Sequence, residues 1–218
     1  MNRRPRLLAT AALGAAAAVL LTGCGGGDGD STGNDKIAGA DTGAETSASP
    51  SASAAAAADR PKIELPSDLT YTFDWPKTGD EAKDAVLADS EQSIKAVDLA
   101  IVNQDALDKA YLFYYEGEAA ASTQKFIEAY VEAKARATGA YRYYDAVVSV
   151  SGSDSASLVY CEDQGKAYDM YLETKKVDKT AVTKNSYVLY STQLQKNADG
   201  VWVIEKLLSQ RGSTKCQP

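Results

Sequence analysis

The sequence predicts an α+β domain in which helices pack on the concave face of a bent antiparallel sheet. Three observations carry this expectation. Between residues 78 and 138 apolar side chains recur every three or four positions, the spacing of helices with one buried stripe. Beyond Gly139 the period becomes two, and Ser151-Gly152-Ser153-Asp154 and Asn197-Ala198-Asp199-Gly200 supply turn residues between the runs, as in antiparallel hairpins. Residues 25–60 are Gly, Ser, Thr, Ala and Asp with one large apolar residue, Ile37, so a core can be built only from about residue 62 onward.

At the N-terminus, Arg3, Arg4 and Arg6 precede an uncharged apolar run from Leu7 to Leu21. That is the pattern of a secretory signal, too short for a comfortable membrane span. The run closes on Leu21-Thr22-Gly23-Cys24, which resembles the bacterial lipobox. The resemblance implies that residues 1–23 are removed as a signal peptide and that the Cys24 thiol carries a lipid. The chain would then sit on the outer face of the bacterial cytoplasmic membrane, with the membrane as its partner through that lipid. Residues 24–61 read as a flexible tether with a root-mean-square reach of roughly 30–36 Å, making no contact with the domain at 62–218. Asp28-Gly29-Asp30-Ser31-Thr32-Gly33 echoes a calcium loop, but position twelve is Gly39 where a bidentate Glu is required.

Within the domain, Leu69, Tyr71, Phe73 and Trp75 alternate with polar residues, and Pro66 and Pro76 bracket them. This suits an extended segment that is not a central strand. Thr78-Gly79-Asp80-Glu81 reads as a capping box. It opens a helix that carries Val86, Ile94, Val97 and Ile101 on one stripe and ends near Asn103. A shorter helix is expected over 105–115, and a third over 118–138 with Gly139 as its C-terminal stop. Strands follow around 141–150, at 155–162 and at 168–173. A polar basic loop spans 175–184, and the hairpin 186–196 with 201–210 ends the sheet before a tail carrying Cys216.

The chain has 23 basic and 30 acidic residues, a net charge of −7 that becomes −10 once Arg3, Arg4 and Arg6 are lost. So acidic a surface argues against nucleic acid as a partner. Histidine is absent, which removes the usual general base, the commonest metal ligand and any Ser-His or Cys-His pair; neither a cofactor nor a metal is expected. Of the three cysteines, a lipidated Cys24 leaves Cys161 and Cys216, with one connectivity open to them in an oxidising compartment. A bridge would contribute about 4 kcal/mol by loop entropy; two buried free thiols are the alternative.

Tyr111 with Gly117-Glu118-Ala119, Gly139, Val147-Val148-Ser149-Val150 and Val159-Tyr160-Cys161-Glu162-Asp163 form a recurring pattern. The hairpin from Thr192 to Gly200-Val201-Trp202-Val203-Ile204, with Gly212 and Cys216 behind it, completes it. In this order of elements and motifs the chain resembles the nuclear transport factor 2-like, or cystatin-like, cone fold, and within it the secreted actinobacterial lipoproteins. The resemblance implies a cone-shaped cup between sheet and helices. In other branches that cup holds isomerases, dehydratases and epoxide hydrolases, which rely on His, or on Asp with a partner acid, Tyr or Arg. The His-dependent versions are excluded here. Asp98, Arg142, Tyr144 and Asp145 are candidate buried polar groups, and Tyr144, Asp145 and Tyr190 are the expected cup residues.

Eight of the 13 tyrosines lie in strand-like segments. They either line the cup or simply suit a half-exposed sheet. The reading is a non-catalytic binding or interaction module at the cell envelope, taking an apolar small molecule or an envelope protein. The alternatives are an accessory or structural subunit of an envelope transport complex, and an isomerase or hydrolase that uses a buried carboxylate.

Overall fold

The first helix begins at Asp80, whose side chain accepts from the Ala82 and Lys83 amides at 3.0 and 3.2 Å. The capping box expected at Thr78 does not form: Asp80 caps the helix alone, and Thr78 instead donates to the Asp84 carboxylate at 2.7 Å. The computed structural model describes residues 59–218. An edge strand β1 (Leu69–Asp74) precedes three helices, α1 (Glu81–Asn103), α2 (Lys109–Tyr114) and α3 (Gly117–Ala133). Then come β2 (Ala135–Ser151), β3 (Ser155–Tyr171), the two-residue β4 (Val177–Asp178), β5 (Tyr187–Lys196) and β6 (Trp202–Arg211). The expected signal, Cys24 and the tether through residue 58 lie outside the described residues. Among those described, no helix is long and apolar enough to cross a membrane.

The strands form one curved open sheet in the order β1-β2-β3-β5-β6, with β4 on the far end of β3. All pairs are antiparallel except β1 with β2, which run parallel from Leu69 opposite Gly139 to Asp74 opposite Tyr144. The helices fill the long crossover between those two strands, as a parallel pair requires. Ala96 and Ala100 let α1 come close to the sheet, and Val86, Ile101, Tyr111, Ile127, Leu158, Leu194 and Ile204 complete the core.

Two boundaries differ from the sequence expectation for identifiable reasons. α3 stops at Ala133 because Lys134 takes the left-handed conformation and caps it with its backbone amide. Gly139 is consequently not a helix stop; it lies inside β2 at φ +96°, where a Cβ would come within 2.2 Å of the Lys166 carbonyl oxygen. Only glycine fits so close to β3. The two strands expected at 155–162 and 168–173 are one, because the bulge between them bends β3 without ending its pairing with β2.

Arg60, assigned to the tether by composition, is bound to the domain. Its guanidinium donates from Nε and Nη2 to the Asp89 carboxylate at 2.9 and 3.1 Å. The same carboxylate accepts from the Trp202 amide at 3.0 Å, and Asp89 is only 3 % exposed. One buried acid thus joins the entering chain, α1 and the start of β6, and the domain begins at Arg60 rather than at residue 62.

At the other end, Cys161 and Cys216 are disulfide-bonded with their Cα atoms 5.4 Å apart. Cys161 lies mid-way along β3 rather than at a strand end, opposite Tyr144. The bond and the Tyr144 hydroxyl, which donates to the Cys216 carbonyl, hold the tail against the outer face of the sheet.

Arg60→Ala should leave Asp89 buried without its cation and lower stability by about 1–3 kcal/mol. Adding Asp89→Asn, which removes the stranded charge, should restore part of that loss. Urea denaturation of the two variants and the wild type measures both.

Candidate functional site: an aromatic cup with two acids

The cup is built by the alternation of side chains along the strands, adjusted at three irregularities. On β2, Tyr141 and Tyr143 face the helices; on β3, Tyr160 and Glu162 do, with Gln164 beyond them. Tyr160 pairs across to Tyr190 on β5, and Tyr190 to Ser209 on β6. A bulge after Gln193, absorbed by Glu205, changes the phase of β6 so that Leu207, Ser209 and Arg211 point into the cup. From the helices come Val97 and Asp98 on α1 and Thr123 and Phe126 on α3. Together they enclose a cavity of about 370 Å³, within the range of small-molecule sites.

Aromatic rings make the wall. Phe73 stacks on Tyr143 at 4.9 Å between centroids, and Tyr160 on Tyr190 at 5.1 Å. Tyr71 stacks on Tyr141 at 5.9 Å, so the ladder runs unbroken from the edge strand to β5.

Two carboxylates stand in this wall. Glu162 is 4 % exposed and accepts from the Tyr143 hydroxyl at 2.8 Å, the Tyr190 hydroxyl at 3.0 Å and Gln164 Nε2 at 2.6 Å. Gln164 in turn accepts from Arg211 at 2.7 Å, so the guanidinium at the mouth reaches Glu162 only through an amide. Burial raises the Glu162 pKa, against those three hydrogen bonds and the Arg211 charge. Asp98 accepts one hydrogen bond, from Tyr71 at 2.6 Å. Burial pushes its pKa up to about 7; the Tyr71 bond opposes the shift and the Glu162 charge adds to it. The Tyr141, Tyr143, Tyr160 and Tyr190 hydroxyls are driven well above their ordinary value by burial and remain protonated.

Several hydroxyls of the wall are uncommitted. Among the described residues those of Tyr141, Tyr160 and Thr123 line the cavity without a hydrogen-bond partner. The cup also adjoins an outer groove, which shares Phe126, Tyr141, Gln164 and Arg211 and continues past Tyr130 and Asp169 to Thr183. Among the described residues no group of three or more His, Cys, Asp or Glu side chains is placed to hold a metal ion.

Of the three expected cup residues, only Tyr190 lines it. Tyr144 points to the other face, where Arg142 covers its ring at 4.5 Å and the Cys216 carbonyl takes its proton. Asp145 would have continued the inward phase of Tyr141 and Tyr143. It falls instead in the bulge between Tyr144 and Val147, at φ +52°, exposed. Arg142 is exposed too, pairing with Asp74 at 2.6 Å. Asp98 is in the cup as expected. Glu162 was not singled out, although a signal existed: it continues the inward phase of Ala156, Leu158 and Tyr160, a charge where an apolar residue belongs.

No family model and no curated protein sequence matches the chain. Among solved structures, it is similar to a ketosteroid isomerase-like protein from Erwinia carotovora atroseptica, with TM-score 0.43 and 13 % identity over 62 % of this chain and 98 % of that one. It is also similar to the intermembrane space region of the chloroplast protein ARC6, with TM-score 0.40 and 12 % identity over 59 % and 96 %. A third is the association domain of CaMKII from C. elegans, with TM-score 0.36 and 14 % identity over 60 % and 99 %. The fold is α+β, with helices on one face of a six-stranded curved sheet.

The raised Asp98 pKa has a definite sign in folding. Between the ordinary aspartate value and about 7 the folded state holds a proton that the unfolded state has released, so stability falls as pH rises through that window. Glu162 acts in the same direction. Asp68, Asp84 and Glu173, held below their ordinary values by Arg136, Thr78 and Lys134, act below that window. The urea midpoint should therefore drop from about pH 5 to about pH 8, and Asp98→Asn should flatten the drop; a midpoint that rises over this range contradicts the assignment.

Proposed function

We propose that the chain is an exported lipoprotein, anchored through Cys24 on the outer face of the bacterial cytoplasmic membrane, whose domain binds a small, partly apolar molecule without transforming it. The observation that supports the binding reading is the cup itself: an aromatic-walled cavity of about 370 Å³ lined by Asp98, Glu162 and the Tyr160 hydroxyl, which has no hydrogen-bond partner among the described residues. A ligand atom that meets these groups supplies hydrogen bonds that the protein does not. The anchor rests on the sequence of residues 3–24.

A second reading is favoured by one specific feature. Asp98, with its pKa near 7 in an apolar enclosure, has the affinity that suits a general base at neutral pH. Proton abstraction from a bound molecule would then be the chemistry, with Tyr71 orienting the carboxylate.

Native mass spectrometry of protein extracted from its own membranes distinguishes these readings. A retained small molecule is expected, and Ser209→Trp, which fills the cup from its exposed rim, should lose it. Incubated with the protein in heavy water, that molecule should keep its mass; carbon-bound deuterium would establish the second reading instead. Cys24→Ser should move the protein out of the membrane fraction, and unchanged retention with normal processing would remove the lipoprotein part of the proposal.

A further inference from the structure

We propose that the occupant of the cup is an organic cation, an ammonium group carried on a short or flat apolar body. This names the ligand class for the binding reading above and rests on it. The inference comes from counting what the cavity wall has left to offer. The hydroxyl protons of Tyr71, Tyr143 and Tyr190 are all donated to carboxylates, at 2.6, 2.8 and 3.0 Å. Gln164 Nε2 donates to Glu162 as well, at 2.6 Å. What remains toward the cavity is the Asp98 carboxylate, which receives a single hydrogen bond, and hydroxyls such as those of Tyr141 and Tyr160, each able to donate or accept. An anionic ligand would meet two like charges in a poorly solvated space, where such repulsion is strong. A neutral acceptor could take a hydroxyl proton but would leave the two acids unanswered.

A cation meets the opposite situation. Asp98 and Glu162 approach the cavity from α1 and β3, and the only basic side chain lining it is Arg211. Arg211 is exposed at the mouth and commits Nη1 to Gln164 and the Asn185 carbonyl at 2.7 and 2.8 Å. Tyr141, Tyr143, Tyr160 and Tyr190 line the same space, and electron-rich rings beside an ammonium group favour it further. The cavity has room for such a group with an apolar body of ring size. Around Asp98 the titratable neighbours are Tyr71, Tyr115, Tyr141 and Tyr143, which stay neutral, and Glu162, with Arg211 the charge at the mouth. A cation held there keeps Asp98 ionised, so binding should strengthen as pH rises through neutrality.

Calorimetric titration of the detergent-extracted full-length chain with 2-phenylethylamine, 2-phenylethanol and 3-phenylpropionate tests this. At about pH 8 the amine should bind at least tenfold more tightly than the alcohol. The gap should narrow toward pH 5 and vanish in Asp98→Asn, with Glu162→Gln as a second isosteric variant should the first fail to fold. The alcohol or the carboxylate binding as tightly as the amine would overturn the cation assignment and leave the cup a binding site. Absence of binding by all three would overturn both, unless native mass spectrometry finds a retained molecule, in which case a neutral or acidic identity for it overturns the cation assignment alone.

Discussion

Glu162 is the constraint around which the cup is arranged. A carboxylate 4 % exposed in the middle of a sheet must be met by hydrogen bonds or lose its charge. Here it is met by three donors, from Tyr143 on the preceding strand, Tyr190 on the following one and Gln164 two residues along its own. Those partners fix the rotamers of two rings, and the rings then stack outward: Tyr143 on Phe73, Tyr190 on Tyr160. The aromatic wall and the acid are one structure. Replacing this arrangement with packed aliphatic side chains would give a more stable sheet, since buried charges rarely stabilise a fold. On the proposed reading, the two acids beside the cavity serve what enters it.

The rest of the fold serves to hold that wall open. Beside the cup the core is filled by Tyr111, Tyr114 and Trp202. Along the cup, α1 and α3 present Asp98, Thr123 and Phe126 to the cavity. The Asp89 junction to Arg60 and Trp202 secures the packed end. The Cys161–Cys216 bond keeps the tail on the outer face of the sheet, away from the mouth. Neither attachment touches the cavity, so strength at both attachments and openness of the cup are compatible.

The architecture was legible in the sequence because periodicity and turn chemistry carry it. The stripe Val86, Ile94, Val97, Ile101 and the turn at Asn197–Gly200 each belong to one local pattern, and each corresponds to the element it predicts. The cysteine pair was legible by counting. What could not be read were the bulges. A single extra residue exchanges the two faces of a strand, and nothing in Tyr144-Asp145-Ala146-Val147 announces one. Hence Asp145 reads as a cup residue, and Val147 is 66 % exposed on the opposite face; Tyr144 needs no bulge, since alternation with Tyr143 alone places it on the outer face. The helix end at Ala133 was hidden for a related reason, since Lys134 adopts the left-handed conformation that Gly139 would more naturally take. Glu162 was within reach of sequence reasoning, but only by treating a charge on the inward phase of a strand as the informative anomaly.

The central claim is that burial in the cup holds Asp98 poised near neutrality. Carbon-13 NMR titration of the aspartate side-chain carboxyl carbons in the ligand-free protein measures this directly, with Asp98→Asn identifying the signal. The account predicts a midpoint near 7 for Asp98. A midpoint in the ordinary aspartate range, near 4, would mean that water or a cation reaches the carboxylate freely, and would contradict it.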